Sequence, residues 1–245
     1  MPEFTLANFN LLCLKADARD RLGMICQYSA RIIIGLLGHA APVSGTRLAR
    51  VEELCRLIWA NLSSARRTQR WCKELPVLQS IPQTLTLEDP VDRALELIQK
   101  VSLAAFYIID HIGGLKQWKV LPGGKRAGMG TIIVGLKVLL VYCAAAVAAQ
   151  AKKLCSKCAT REDRAKCAEA TLKAVLLGIV CAHLSSVREM HDVVCGIAGV
   201  GYGSLELKGH WTSIVPAPVP PKAPKVVDAA IGDTPDEQVQ KPKVR

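Results

Sequence analysis

The stretch GMGTIIVGLKVLLVYCAAAVAAQ, from Gly128 to Gln150, decides how this chain is organised. Its 23 residues carry a single charge, Lys137, and are long enough for a helix to cross a bilayer. Nine Ile, Leu and Val residues favour insertion by roughly 3–5 kcal/mol, whereas a central lysine costs about 2.5–3.5 kcal/mol. Because the balance is close to zero, we interpret the stretch as a first transmembrane helix that needs a partner.

A second apolar region covers residues 172–207 and is interrupted by Arg188, Glu189 and Asp192. Its glycines allow two helices to approach closely. The pattern fits either one span or a broken pair of segments. Because charges inside a bilayer usually pair, we expect Lys137 to find Glu189 or Asp192 there.

Three helices are predicted before residue 128, at residues 16–37, 46–73 and 89–112. The first should end at Gly38 and Pro42, and the third at Gly113-Gly114. Thr46 should cap the second helix, and Asp89-Pro90 should open the third. Only about 13 residues of the third helix are continuously apolar, too few to cross a bilayer. Residues 75–87 are predicted to be a connector.

The second of these helices combines a narrow apolar stripe with an arginine-rich remainder. The stripe comprises Val51, Leu54, Cys55, Ile58, Leu62 and Ala65. Arg67 and Arg70 are predicted to face outward with the other arginines. A basic amphipathic helix of this kind lies in the membrane interface with its apolar face inserted. The residues predicted to bind the membrane are Arg50, Val51, Leu54, Arg56, Ile58, Trp59, Leu62, Arg66, Arg67 and Arg70.

The same stripe has a simpler explanation. It could pack on the first and third helices and form a soluble helical bundle, in which case it would never meet lipid. Spacing alone leaves both interpretations open.

The composition indicates which classes of binding partner and of chemistry fit the protein. The net charge of +11 predicts acidic partners, and 50% of the residues are apolar. Anionic lipid headgroups are favoured over nucleic acid, because the sequence lacks an aromatic-interleaved basic strand and the spacing of a metal finger. The ten cysteines supply no second ligand pair for zinc, and no nucleophile–base arrangement stands out. We therefore predict no cofactor, no metal and no enzymatic activity.

These patterns predict an all-α integral membrane protein with five regions. They are an amphipathic helical region (1–127), a first transmembrane helix (128–150), a charged loop or helix (151–171), a second and possibly broken membrane region (172–207), and a disordered Pro-rich tail (208–245).

Three segments resemble the peroxisomal biogenesis factor family called peroxin-eleven. Arg19-Asp20-Arg21-Leu22 with Gln27-Tyr28-Ser29-Ala30-Arg31 is similar to the family's N-terminal helix. The family's amphipathic segment resembles Asn61-Leu62-Ser63-Ser64-Ala65-Arg66-Arg67-Thr68-Gln69-Arg70. A further family motif resembles Ala105-Phe106-Tyr107-Ile108-Ile109-Asp110-His111. The three follow each other in the family's order and cover roughly the first 120 residues.

The resemblance implies a multi-pass peroxisomal membrane protein with both termini in the cytosol. Members of the family elongate the organelle before fission, form homo-oligomers or assemble with paralogues, and cooperate with fission machinery. Some have been proposed to form pores for small metabolites, and here Lys137 and the glycine-rich segment would line such a path. The Ala/Val-rich spans and the tail also resemble the glycosomal membrane proteins of kinetoplastids.

Overall fold

The computed structural model describes residues 4–40, 45–155 and 160–214, and every regular element in these ranges is an α-helix. The prediction of an all-α fold is confirmed. The helices are α1 (Leu6–Leu14), α2 (Ala16–Ala40), α3 (Arg47–Thr68), α4 (Glu74–Gln79), α5 (Ile81–Leu85), α6 (Pro90–Gln117), α7 (Gly124–Cys155), α8 (Arg161–Leu184) and α9 (Asp192–Thr212). Pro42 and the predicted tail beyond residue 214 lie outside the described residues.

Two helices begin at the cap residues that the sequence predicts. The Thr46 hydroxyl accepts a hydrogen bond from the backbone N–H of Ala49 at 3.3 Å. The Asp89 carboxylate accepts from the N–H groups of Val91 and Asp92 at 2.7 and 3.1 Å, with Pro90 in the first turn of α6. Each cap satisfies N–H groups that have no partner within the helix, so both predicted starts are confirmed.

Helix α6 continues through Gly113 and Gly114, where its end was predicted, and stops at Gln117. The prediction was wrong because Gly113 serves the contact with α7. A Cβ on Gly113 would lie 2.6 Å from Cγ1 of Ile132, and one on Gly128 would lie 2.7 Å from the Gly113 carbonyl oxygen. Two facing glycines thus let the α6 and α7 backbones approach closely.

The segments predicted as connector and loop are largely helical. Residues 75–87 include most of α4 and all of α5, with Pro82 in the first turn of α5, where a proline removes no helical hydrogen bond. In the predicted loop 151–171, α7 extends to Cys155 and α8 begins at Arg161. Thr160 and Asp163 form a capping box that fixes the start of α8.

The second apolar region is divided by a turn. Helix α8 ends at Leu184, α9 begins at Asp192, and residues 185–191 connect them. Helix α9 also runs to Thr212, so residues 208–212 are helical and do not belong to a tail.

Helices α7 and α8 are long and apolar enough to cross a membrane. Only 33% of the most apolar window of α7 and 17% of that of α8 are buried in the bundle. Large side chains such as Val134, Val141, Leu172 and Val175 remain exposed. A core helix of a soluble protein would bury most of this surface, so the exposure favours lipid as the surrounding solvent.

Two helix pairs, α2 with α9 and α6 with α7, form the core. Helix α8 packs on α7 and on α9 and so joins the two pairs. In the first pair, the Tyr28 ring lies against Gly199, where an added Cβ would overlap it. Gly35 approaches Val193 and Gly203 approaches Ile25, so α2 and α9 run in opposite directions. The glycines of α9 therefore form a packed contact between helices.

Replacing Gly199 by Ala should destabilise the α2–α9 contact, because the new methyl group overlaps the Tyr28 ring. Overpacking of a buried contact costs roughly 1–3 kcal/mol, which corresponds to a fall of about 2–12 °C in the thermal midpoint. Gly209→Ala is the matched control, since it lies on the same helix with no neighbouring atom within 4 Å. Its midpoint should stay unchanged or rise. Circular dichroism in detergent measures both, and equal shifts would contradict the packing argument.

Candidate functional site

Helix α3 has two different faces. One packs on α2, where Cys55 is 5% exposed among Ala30 and Ile34 with Ile58 beside them. The Trp59 ring meets the Tyr28 ring edge-on with the centroids 5.2 Å apart. Cys55, Ile58 and Trp59 of the predicted stripe and its flank thus contribute to the bundle, so Trp59 is not a freely exposed headgroup anchor.

The other face of α3 leaves large apolar side chains uncovered. Leu54 is 56% exposed and Leu57 is 55% exposed. Leu48 and Val51 are also exposed near the start of the helix, but they lie on the same side of it as Cys55, and Leu62 is half-buried. Leu48 and Leu57 were not predicted, because one stripe was expected to carry all the apolar residues. Leu57 lies about 180° around the helix from Leu48, so helical periodicity gives no signal that groups these exposed residues.

The arginines of α3 are divided between the two environments. Arg50 and Arg56 are exposed, as predicted, and Arg56 forms an ion pair with Glu52 at 2.6 Å. Arg66 and Arg67, by contrast, are each only 8% exposed. The prediction that Arg67 faces outward was wrong, and Arg66 is likewise withdrawn from the surface on which lipid would bind.

Arg66 is held inside the bundle by α2. Its Nε donates to Asp20 Oδ1 at 2.8 Å, and its Nη1 donates to the Gln27 side-chain oxygen at 2.7 Å. Burial raises the pKa of Asp20, but the guanidinium groups of Arg66, Arg21 and Arg70 outweigh it, so the pKa is lowered overall. A buried arginine needs such a counter-charge, since an unpaired charge away from water costs several kcal/mol.

A second acid, Asp110 of α6, receives the other two arginines. Arg67 Nε and Arg70 Nη2 each lie 3.4 Å from its carboxylate oxygens. Arg67 also donates to the Gln117 side chain at 2.8 Å. Arg70 is half-buried, so its predicted outward orientation was wrong as well. Asp110 therefore acts as a buried counter-charge.

The three segments that carry the family resemblance meet in this buried cluster. Asp20 and Gln27 come from the first segment, Arg66, Arg67 and Arg70 from the second, and Asp110 from the third. Segments that are far apart in the chain thus form two neighbouring groups of ion pairs, one with Asp20 of α2 and one with Asp110 of α6.

Asp192 forms an ion pair with Arg31, a partner that the sequence did not predict for it. Arg31 Nη2 lies 2.7 Å from its carboxylate, and His183 Nε2 lies 3.2 Å from the same oxygen. The Arg31 guanidinium also stacks 4.4 Å from the centre of the Trp59 ring. Asp192 therefore pairs with Arg31, and not with Lys137 as expected.

Lys137 and Glu189 lie apart from each other on the surface. Lys137 is exposed on α7, and Glu189 is exposed on the connection between α8 and α9. No ion pair joins Lys137 to Glu189 or Asp192 in the described ranges, and the predicted intramembrane pair is not formed. The pair could not be excluded from the sequence, because the sequence does not give the relative rotation of two helices.

Within the part of the chain that the structure describes, no three His, Cys, Asp or Glu side chains are grouped so as to hold a metal ion.

Two outward-apolar helices of bilayer length, an amphipathic helix and a buried ion-pair network define a helical protein of membranes. The protein-family model for Peroxisomal biogenesis factor 11 (PEX11) matches residues 6–212, which include every described helix. The chain belongs to this family. No curated protein and no solved structure matches it. Membership assigns the chain to peroxisome biogenesis and implies the peroxisomal membrane as its location.

Replacing Asp20 by Asn should strongly destabilise the protein, because Arg66 would stay buried without its counter-charge. Removing one partner of a buried pair costs about 3–5 kcal/mol, or roughly 6–20 °C in the thermal midpoint. Glu162→Gln is the control, since Glu162 and Lys166 are 77% and 71% exposed, so water screens their ion pair and its loss should leave the midpoint almost unchanged. Equal losses in the two variants would contradict the argument.

The same variant has a pH dependence. The pKa of Asp20 lies below its ordinary value of 3.8, so its stabilising charge is fully present above that pH and is lost as the pH falls through the folded-state pKa. The difference in thermal midpoint between the wild type and Asp20→Asn should therefore close below about pH 4. A pH titration of both midpoints measures it.

Proposed function

We propose that the protein elongates the peroxisomal membrane before division by inserting the exposed face of α3 into the cytosolic leaflet. The observation that carries the proposal is the exposure of Leu54 and Leu57 on the side of α3 away from α2, with Leu48 and Val51 exposed near the start of the helix. Insertion into one leaflet expands that leaflet alone, so the bilayer bends toward it. Many copies acting together would draw a sphere into a tube.

The apolar contribution exceeds the electrostatic one. Four side chains that are each about half exposed would gain roughly 3–6 kcal/mol in total on insertion. Arg47, Arg50 and Arg56 exceed Glu52 and Glu53 by one charge. A single net charge near an anionic surface is worth about 1 kcal/mol. Because Arg66, Arg67 and Arg70 point into the bundle, the exposed leucines contribute most of the free energy of membrane binding.

The other parts of the proposal come from the family. They are assembly with further copies or with paralogues, cooperation with fission machinery, both termini in the cytosol, and a glycosomal setting. The proposed action needs many copies concentrated in one place, which is the physical reason to expect self-association.

The alternative of a metabolite channel lined by Lys137 and the glycine-rich segment gains no support from the fold. Lys137 faces outward on α7. Gly196, Gly199 and Gly203 lie against α2, where they form the helix contact and line no open path.

Reconstitution of the full chain in anionic liposomes tests the proposal. The wild type should draw the vesicles into tubes, visible by electron microscopy, and Leu54→Glu with Leu57→Glu should abolish tube formation. The two glutamates place charge where apolar side chains would enter lipid, a cost of several kcal/mol.

Ala49→Glu with Ala60→Glu is the matched control. It adds the same two charges to α3 at positions that carry no large apolar side chain. These variants should still form tubes. Tubes from the leucine variant, or their loss in the alanine variant, would contradict insertion of the leucines.

A further inference from the structure

A cavity of about 250 Å³ lies inside the bundle, bordered by residues of α2, α3, α6, α7, α8 and α9. Leu139 and Tyr142 on its wall lie about halfway along α7. The cavity is smaller than sites for drug-sized ligands, which occupy roughly 300–1,000 Å³. It has room for a small ion and its hydration water.

The wall of the cavity is basic. It carries Arg21, Arg66, Arg70 and Lys73 but only two acids, Asp20 and Glu206. Asp110 and Asp17 pair with Arg70 and Lys73 from outside the wall. Asp110 also pairs with Arg67, and the wall acid Glu206 pairs with Lys173. The network then holds six cations and four acids. Glu169 and Lys208 extend it by one charge of each sign, so an excess of two positive charges remains.

Arg21 is the cation whose hydrogen bonds are least satisfied. The nearest carboxylate oxygens lie 3.6 Å away in Asp20 and 3.7 Å away in Glu206, beyond good hydrogen-bonding distance. Its Nε is buried and has no hydrogen-bond partner among the described residues. A guanidinium has five donors in a planar fork that matches an oxyanion. Arg21 thus provides an incompletely used anion-binding group on the cavity wall.

Three tyrosines on the same wall add neutral donors. Tyr107, Tyr142 and Tyr202 border the cavity. Each hydroxyl can donate to an oxyanion. The Arg21 guanidinium lies 5.2 Å from the centre of the Tyr202 ring, so cation and hydroxyls share one region of the wall.

We infer that this cavity binds a phosphate group, either as the free ion or as a lipid headgroup. Arg21 and the tyrosine hydroxyls contact its oxygens, and Arg70 and Lys73 add positive charge. The bound group would offset the two surplus positive charges and accept a hydrogen bond from Arg21 Nε, which is otherwise unpaired among the described residues. The inference does not depend on membrane bending, because it requires only the folded bundle.

Thermal unfolding of the full chain in an uncharged detergent tests the inference, with inorganic phosphate as the probe and chloride of equal ionic strength as the reference. If the dissociation constant is about 1 mM, phosphate at about 10 mM should raise the midpoint by roughly 3–5 °C. Arg21→Gln should lose this rise, and because Arg66 still pairs with Asp20, the variant should fold. Tyr142→Phe should weaken phosphate binding several-fold while it preserves the ring.

Arg188→Gln is the matched control, since Arg188 is exposed on the connection between α8 and α9. Phosphate also stabilises proteins by exclusion from their surface, but that effect is the same in all variants. A rise that is absent from the wild type, or equally large in Arg21→Gln, would overturn the inference.

Nanodiscs distinguish the two sources of the phosphate group. A phosphate-induced rise in phosphatidylcholine discs that disappears in discs with phosphatidic acid would identify the headgroup as the occupant. A rise that persists in both would identify the free ion. Failure of the phosphate test with intact tube formation would leave the proposed function standing, and the reverse result would leave the cavity site standing.

Discussion

The buried pair of Asp20 and Arg66 is the interaction on which the arrangement of the helices depends. Removing two charges from water costs several kcal/mol each, so the bundle must hold α2 and α3 in the one register that joins them at 2.8 Å. Asp110 applies the same constraint to α6 through Arg67 and Arg70. Charge therefore fixes the positions of α2, α3 and α6, whereas glycine contacts fix α9 on α2 and α7 on α6.

The sequence predicted features that depend on neighbouring residues. The caps at Thr46 and Asp89 involve groups within three positions of each other, and the apolar run of α7 is visible in one window. The inward arginines could not be predicted in this way. Periodicity treats every arginine as outward-facing, and the acid that holds Arg66 lies 46 positions away in the chain. The end of α6 was predicted wrongly at Gly113-Gly114 for the same reason, since Gly113 contacts α7, which periodicity within α6 does not reveal.

Arg66, Arg67 and Arg70 are buried in the bundle, whereas the sequence predicted that they bind the membrane together with the apolar residues of the same helix. Membrane contact and stabilisation of the fold are therefore carried by different parts of this segment. The first half of α3 presents leucines to its surroundings, and the second half secures the fold. A charge change in the second half would therefore act through folding, and an apolar change in the first half through the surface.

The antiparallel contact of α2 with α9 joins two parts of the chain that are made at very different times. Arg31 and its partner Asp192 are 161 positions apart, and the ribosome releases α2 well before α9 exists. Until then Tyr28 can pack on Trp59 of α3, but the part of its ring that faces Gly199 has no cover. The nascent chain therefore exposes apolar surface of α2 until α9 is synthesised, and such surface favours aggregation.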